Sequence, residues 1–191
     1  RVLSQSGWGV CNTWDNNPNG ALPKYYRQIC GLMQSDMNAD LGGNENFDFS
    51  SWQPDAIVVN LGTNDASAFD QPEWVDNETG KRHKMHKNPD GSYKEEDIAY
   101  FKKAVKDFLH TLRECNPGAQ IIWCYGMLGI PFQKPICQAV YEYVDETQDR
   151  KVSYLQLPDT DTDSTGSRQH PGYLSHQRAA KVLSEFIRTL L

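Results

Sequence analysis

No stretch of the 191 residues approaches the roughly 20 consecutive apolar residues that a membrane-spanning helix needs. Excess positive charge is missing as well. A formal net charge of −6 and an isoelectric point near 5.3 argue against nucleic acid or an anionic membrane as the main partner. The five cysteines (Cys11, Cys30, Cys115, Cys124, Cys137) form no Cys-x-x-Cys pair and are odd in number, which disfavours both a zinc site and a disulfide framework. Cys124 lies in an apolar run and reads as a small buried hydrophobe. There is no glycine-rich phosphate loop, internal repeat or low-complexity tract, so no cofactor and no metal is implied. Nor is there an initiator methionine: Arg1-Val2-Leu3-Ser4 reads as a strand already under way, so a cut or processed start is expected. The length suits one domain with a sizeable core.

What is present is an alternation of strands and helices. Val2 to Ser6 reads as a short strand, and Leu22 to Cys30, with Pro23 in its first turn, as a helix. Ala56 to Leu61 is an apolar, β-branched run of the kind buried on both faces of a sheet. The polar segment Ala66–Ser92 is a long loop, and loops of that size are often functional. Ile98, Phe101, Val105, Phe108, Leu109 and Leu112 share one helix face, ended by Asn116-Pro117-Gly118. A strand follows at Ile121–Tyr125, then a helix carrying Ile136, Ala139, Val140, Tyr143 and Val144, and a strand at Val152–Leu157. Ala179, Ala180, Leu183, Phe186, Ile187 and Leu190 stripe the closing helix. Four strands alternating with helices predict an α/β fold with a mostly parallel sheet covered on both faces.

The chemistry concentrates where strands end. Ile57-Val58-Val59-Asn60-Leu61 stops abruptly in Gly62-Thr63-Asn64-Asp65, at the carboxyl end of a strand, where open α/β sheets place their sites. Gly62 permits a sharp turn and Asn64 offers an uncharged amide donor, which is what an oxyanion hole requires. Asp65 is expected to brace its own turn rather than to ionise for catalysis. His170, in His170-Pro171-Gly172 before the last helix, reads as a general base or as a capping histidine. Gly7 supplies either a backbone N–H donor or a plain tight turn.

Ser6-Gly7-Trp8-Gly9, Gly62-Thr63-Asn64-Asp65 and His170-Pro171 resemble, in order and spacing, the later blocks of the SGNH (GDSL-type) hydrolases, and most of all the acetylesterases of carbohydrate esterase family 2. The resemblance runs over essentially the whole chain. It implies a three-layer α/β/α sandwich, with Gly7 and Asn64 in the oxyanion hole and His170 as base. It also implies a serine nucleophile in a Gly-Asp-Ser block, and that block is absent here. The expectation is therefore a single domain over residues 1–191, truncated or nicked at its start, whose nucleophile and central strand lie upstream of Arg1. That strand would part Val2–Ser6 from Ala56–Leu61 by roughly 9–10 Å.

The usual triad acid, three residues before the histidine, is Ser167 in this chain. Asp159, Asp161 and Asp163 are the nearby carboxylates. A backbone carbonyl orienting the imidazole is the other possibility that the resemblance offers. The implied substrate is a small acyl ester, above all an O-acetyl group on carbohydrate. The rivals are a catalytically inactive carbohydrate-binding protein on the same scaffold and a lipase for long acyl chains, although the polar Ala66–Ser92 insertion does not suggest an apolar groove. His83 and His86 sit among Lys and Arg without a carboxylate framework for a metal. His176 is placed in the first turns of the closing helix. Trp8, Trp14 and Trp74 flank the proposed site as sugar platforms or as packing.

Overall fold

The computed structural model describes residues 1–33 and 35–191. Three parallel strands, β1 (Ala56–Val59), β4 (Gln120–Tyr125) and β5 (Val152–Gln156), form the main sheet in the order β1-β4-β5. Val59 lies level with Trp123 and Tyr125 with Gln156, so all three strands end at the same edge. Helix α3 (Glu95–Cys115) joins β1 to β4, and α4 (Gln133–Thr147) joins β4 to β5. The closing helix α5 (Tyr173–Leu190) follows β5. Smaller elements are α1 (Asp36–Asp40), α2 (Thr63–Ala68) and a two-stranded antiparallel ribbon, β2 (Trp74–Val75) with β3 (Arg82–His83).

The two-residue period of β4 separates the layers. Ile121, Trp123 and Tyr125 join the core that also holds Phe101, Leu109 and Leu112 of α3 and Ile136 and Val140 of α4. Ile122 and Cys124 face the other way, where Leu183, Phe186, Ile187 and Leu190 of α5 pack. Residues 121–125 are 0 % exposed, so β4 is the central strand. Burial among apolar neighbours pushes the Cys124 thiol up to about 12, as suits a packing residue. The result is a three-layer α/β/α arrangement, in agreement with the sequence. Among the described residues no helix is long and apolar enough to cross a membrane.

Two predicted elements are not formed. Leu22–Cys30 makes a single 3₁₀ turn, Leu22–Tyr25, rather than a helix. Its second half is drawn into pairing with the loop opposite: Ile29 N–H donates to Glu45 O at 2.9 Å, Cys30 N–H to Gly43 O at 2.8 Å, and Phe47 N–H to Arg27 O at 2.7 Å. These bonds take the amides that a helix would have used. Val2–Ser6, the fourth predicted strand, has no ladder partner among the described residues. Between Arg1–Gln5 and β1 lies a cleft of about 600 Å³, lined also by Phe108 and Leu112 of α3. One edge of β1 faces it unpaired, and Val58 is 42 % exposed there.

Candidate active site

Gly62 leaves β1 with φ 122°, a conformation that an L side chain rarely adopts, and a Cβ there would lie 2.8 Å from Ile136 Cδ1. The turn delivers Thr63, Asn64 and Asp65 into the first turn of α2. Asn64 Nδ2 donates to the Trp8 carbonyl at 2.9 Å. That bond uses one of the two amide hydrogens and fixes the plane of the group. Asn64 remains half-buried, at the end of the cleft beside β1.

Gly7 has φ 78° and its carbonyl accepts from Trp14 N–H at 2.8 Å. Its own N–H meets no acceptor among the described residues. The Trp14 indole lies close against Gly7, so that a Cβ would come within 2.8 Å of Cδ1, yet the residue is 47 % exposed. Trp8 is half-buried, with its ring centroid 5.2 Å from that of Tyr25. Trp74 is half-buried in the β2–β3 ribbon.

His170 stands exposed in the loop between β5 and α5. A short 3₁₀ turn, Ser167–Gln169, precedes it, and both Arg168 (φ 51°) and Gln169 (φ 62°) are left-handed. This turn aims the Arg168 carbonyl at the imidazole, 3.0 Å from Nδ1. A carbonyl only accepts, so Nδ1 carries the hydrogen and the neutral ring presents the lone pair of Nε2. Gly166 N–H to His170 O at 2.7 Å and Gly172 N–H to Ser164 O at 2.8 Å hold the loop. His176 lies in the first turn of α5, as expected.

None of the three candidate aspartates bonds the imidazole, and two of them have other partners. Asp159 Oδ1 accepts from Gly129 N–H at 2.8 Å and Thr160 N–H at 2.9 Å, tying the loop after β4 to the loop after β5. Asp161 caps the turn at Ser164 and pairs with Arg178 at 2.6 Å. Asp163 makes no bond to His170, and neither do the other two.

Asp65 departs from its expected place. It does not brace its own turn but reaches the loop after Trp8, where Val10 and Cys11 N–H donate to it. Sequence reasoning also missed Asn16. Fully buried with φ 68°, it donates to Ala68 O at 2.8 Å and Pro72 O at 3.0 Å and accepts from Met85 N–H at 2.9 Å. Its signal was the Asn16-Asn17-Pro18 turn.

Gly7 and Asn64 are thus brought together through Trp8. His170 follows β5 in the chain, on the loop that leads to α5, and no hydrogen bond joins it to either. No serine hydroxyl of the described residues reaches its imidazole. His86 Nδ1 pairs with Asp97 Oδ2 at 3.0 Å, and burial pushes the pKa of His83 down. Among the described residues no group of three or more His, Cys, Asp or Glu side chains is arranged to hold a metal.

No family model matches the chain. Among solved structures it is similar to an acetyl xylan esterase, Est2A, from the rumen bacterium Butyrivibrio proteoclasticus, with 48 % identity and a TM-score of 0.95 over 98 % of this chain and 50 % of that one. A family two carbohydrate esterase from Clostridium thermocellum, solved with cellohexaose, shares the fold at a TM-score of 0.70 and 22 % identity, over 96 % of this chain and 47 % of that one. Among curated proteins, the cellulase/esterase CelE of Acetivibrio thermocellus is 26 % identical over 150 residues, 76 % of this chain and 15 % of CelE. The chain spans about half the length of the solved relatives and a smaller share of the curated one. It resembles the family 2 carbohydrate esterases, as its sequence blocks implied.

Proposed function

We propose that this protein is a carboxylic ester hydrolase that removes small acyl groups, O-acetyl above all, from carbohydrate. The observation that carries this reading is the anchored imidazole. With Nδ1 committed to the Arg168 carbonyl at 3.0 Å, His170 can take a proton only through Nε2, the polarity a general base needs. The similarity to an acetyl xylan esterase over nearly the whole chain supports the substrate class.

In this mechanism a serine hydroxyl attacks the ester carbonyl while His170 removes its proton. Negative charge grows on the carbonyl oxygen and is met by Gly7 N–H and by the second hydrogen of the Asn64 amide. His170 then protonates the departing sugar oxygen, and water repeats the cycle to release acetate. The carbonyl of Arg168 replaces the triad carboxylate: it fixes the tautomer without supplying a full charge. The serine enters on a strand from outside these 191 residues, seated in the cleft along the free edge of β1. Val58 and Ile57 supply apolar contact there, and the unpaired amides of β1 require partners. Trp14, exposed beside Gly7, is placed to meet the sugar ring.

The complete protein should release acetate from acetylated xylan or mannan oligosaccharides and prefer short acyl esters to octanoyl ones. Comparable rates on octanoyl esters would move the assignment to a lipase. Absence of acetate release from any acetylated sugar, by an enzyme active on model esters, would leave only a generic esterase.

A further inference from the structure

Asp65 is a carboxylate with 0 % exposure, and among the described residues no cation is paired with it. Such a group is costly to bury unless it is hydrogen-bonded on several sides. Val10 N–H lies 3.0 Å from Oδ1 and 2.9 Å from Oδ2, and Cys11 N–H 2.9 Å from Oδ1. The Cys11 thiol is 3.2 Å from Oδ1. Burial pushes the Asp65 pKa up, and the amides of Cys11 and Val10 push it back. Gly9 shows how closely the loop is drawn in: a Cβ there would lie 2.3 Å from Asp65 Oδ2 and 2.5 Å from Asn12 O.

The neighbouring residue grips the same loop. Asn64 holds Trp8 O at 2.9 Å while Asp65 holds residues 10 and 11, so one helical turn clamps three residues of the loop. The loop's other function is to present Gly7 N–H.

We infer that Asp65 is a positioning residue for the oxyanion hole: through the Val10 and Cys11 amides it sets where Gly7 N–H stands relative to the Asn64 amide. Both donors must sit about 2.7–3.1 Å from a single oxygen, and a misplacement near 1 Å costs on the order of 10²-fold in rate. A carboxylate suits the task because it only accepts. An Asn in its place would keep one acceptor oxygen for the Cys11 amide but would turn an NH2 toward Val10 N–H where Oδ2 now accepts. Gly9 is glycine because any side chain would part the loop from Asp65.

This inference rests on the esterase reading, so the test separates the two. In the complete protein, with 4-nitrophenyl acetate, Asp65→Asn should lower kcat by roughly 10–100-fold with a much smaller change in KM. In an Asn64→Ala background the same substitution should cost less, because both act on one charge. Amide hydrogen exchange at Val10 and Cys11 should quicken while β4 stays protected, which shows the fold intact. If Asp65→Asn does not fold, Gly9→Ala makes the same test, since it pushes the loop off an unaltered carboxylate. Normal kcat in a folded Asp65→Asn or Gly9→Ala variant, with Asn64→Ala impaired, would overturn the positioning role. A full cost in the Asn64→Ala background would do so too. Unimpaired Asn64→Ala and His170→Ala variants would instead show that the esterase reading has failed.

Discussion

At the residue scale, His170 relies on a neighbour two positions back in its own loop. The Arg168 carbonyl holds Nδ1 at 3.0 Å, whereas Asp159 and Asp161 spend their oxygens on the Gly129, Thr160 and Ser164 amides and on Arg178. His170→Ala should therefore nearly abolish ester turnover, while Asp159→Asn, Asp161→Asn and Asp163→Asn each cost far less. A loss of about 10³–10⁴-fold from any one of the three would restore an ordinary triad. Asp161 does show in stability. The bonds from Ser164, then Arg178, hold its carboxyl at about 2, below the usual value of 3.8. A lowered pKa stabilises the fold above the unfolded value, and that contribution disappears as pH falls from near 4 through about 2. Thermal melts across this window should show a smaller acid-induced loss for Asp161→Asn than for the unaltered protein. Identical slopes would mean that the exposed pair is screened.

At the element scale, the turn after β1 carries the oxyanion candidate Asn64. Gly62 has φ 122° with Ile136 Cδ1 where a Cβ would go. Gly62→Ala should cost about 1–3 kcal/mol, seen as a Tm lower by roughly 2–4 °C per kcal/mol, together with weaker catalysis from a displaced Asn64. An unchanged Tm would show that the turn tolerates a side chain.

The elements legible in the sequence were those whose own residues decide them. β4 and α3 declare themselves by an unbroken apolar run and by a one-sided stripe. Leu22–Cys30 does not follow its local pattern because its partner, the 43–47 loop, lies outside any local window. The oxyanion candidates were legible as a turn chemistry, Gly-x-Asn at a strand end. The direction of Asp65 was not, because its partners lie some 55 residues earlier in the chain. The paired left-handed residues Arg168 and Gln169 gave no sign either, since neither is a glycine or an asparagine.

At the scale of the whole molecule, the described sheet leaves one edge of β1 without a partner strand. The unpaired edge of β1, the exposed Val58 and the 600 Å³ cleft against Arg1–Gln5 together define a seat for an extended segment. A five-residue strand spans about 17 Å, enough to run the length of β1. In the proposed mechanism that seat and the anchored His170 are parts of one device: the strand would complete the sheet and its serine the site. The most direct test is covalent labelling of the complete protein with a fluorophosphonate ester, followed by peptide mapping of the modified residue. The predicted result is one labelled serine on a segment outside residues 1–191, with labelling lost in His170→Ala. A label on a serine within these 191 residues, or labelling indifferent to His170, would contradict it.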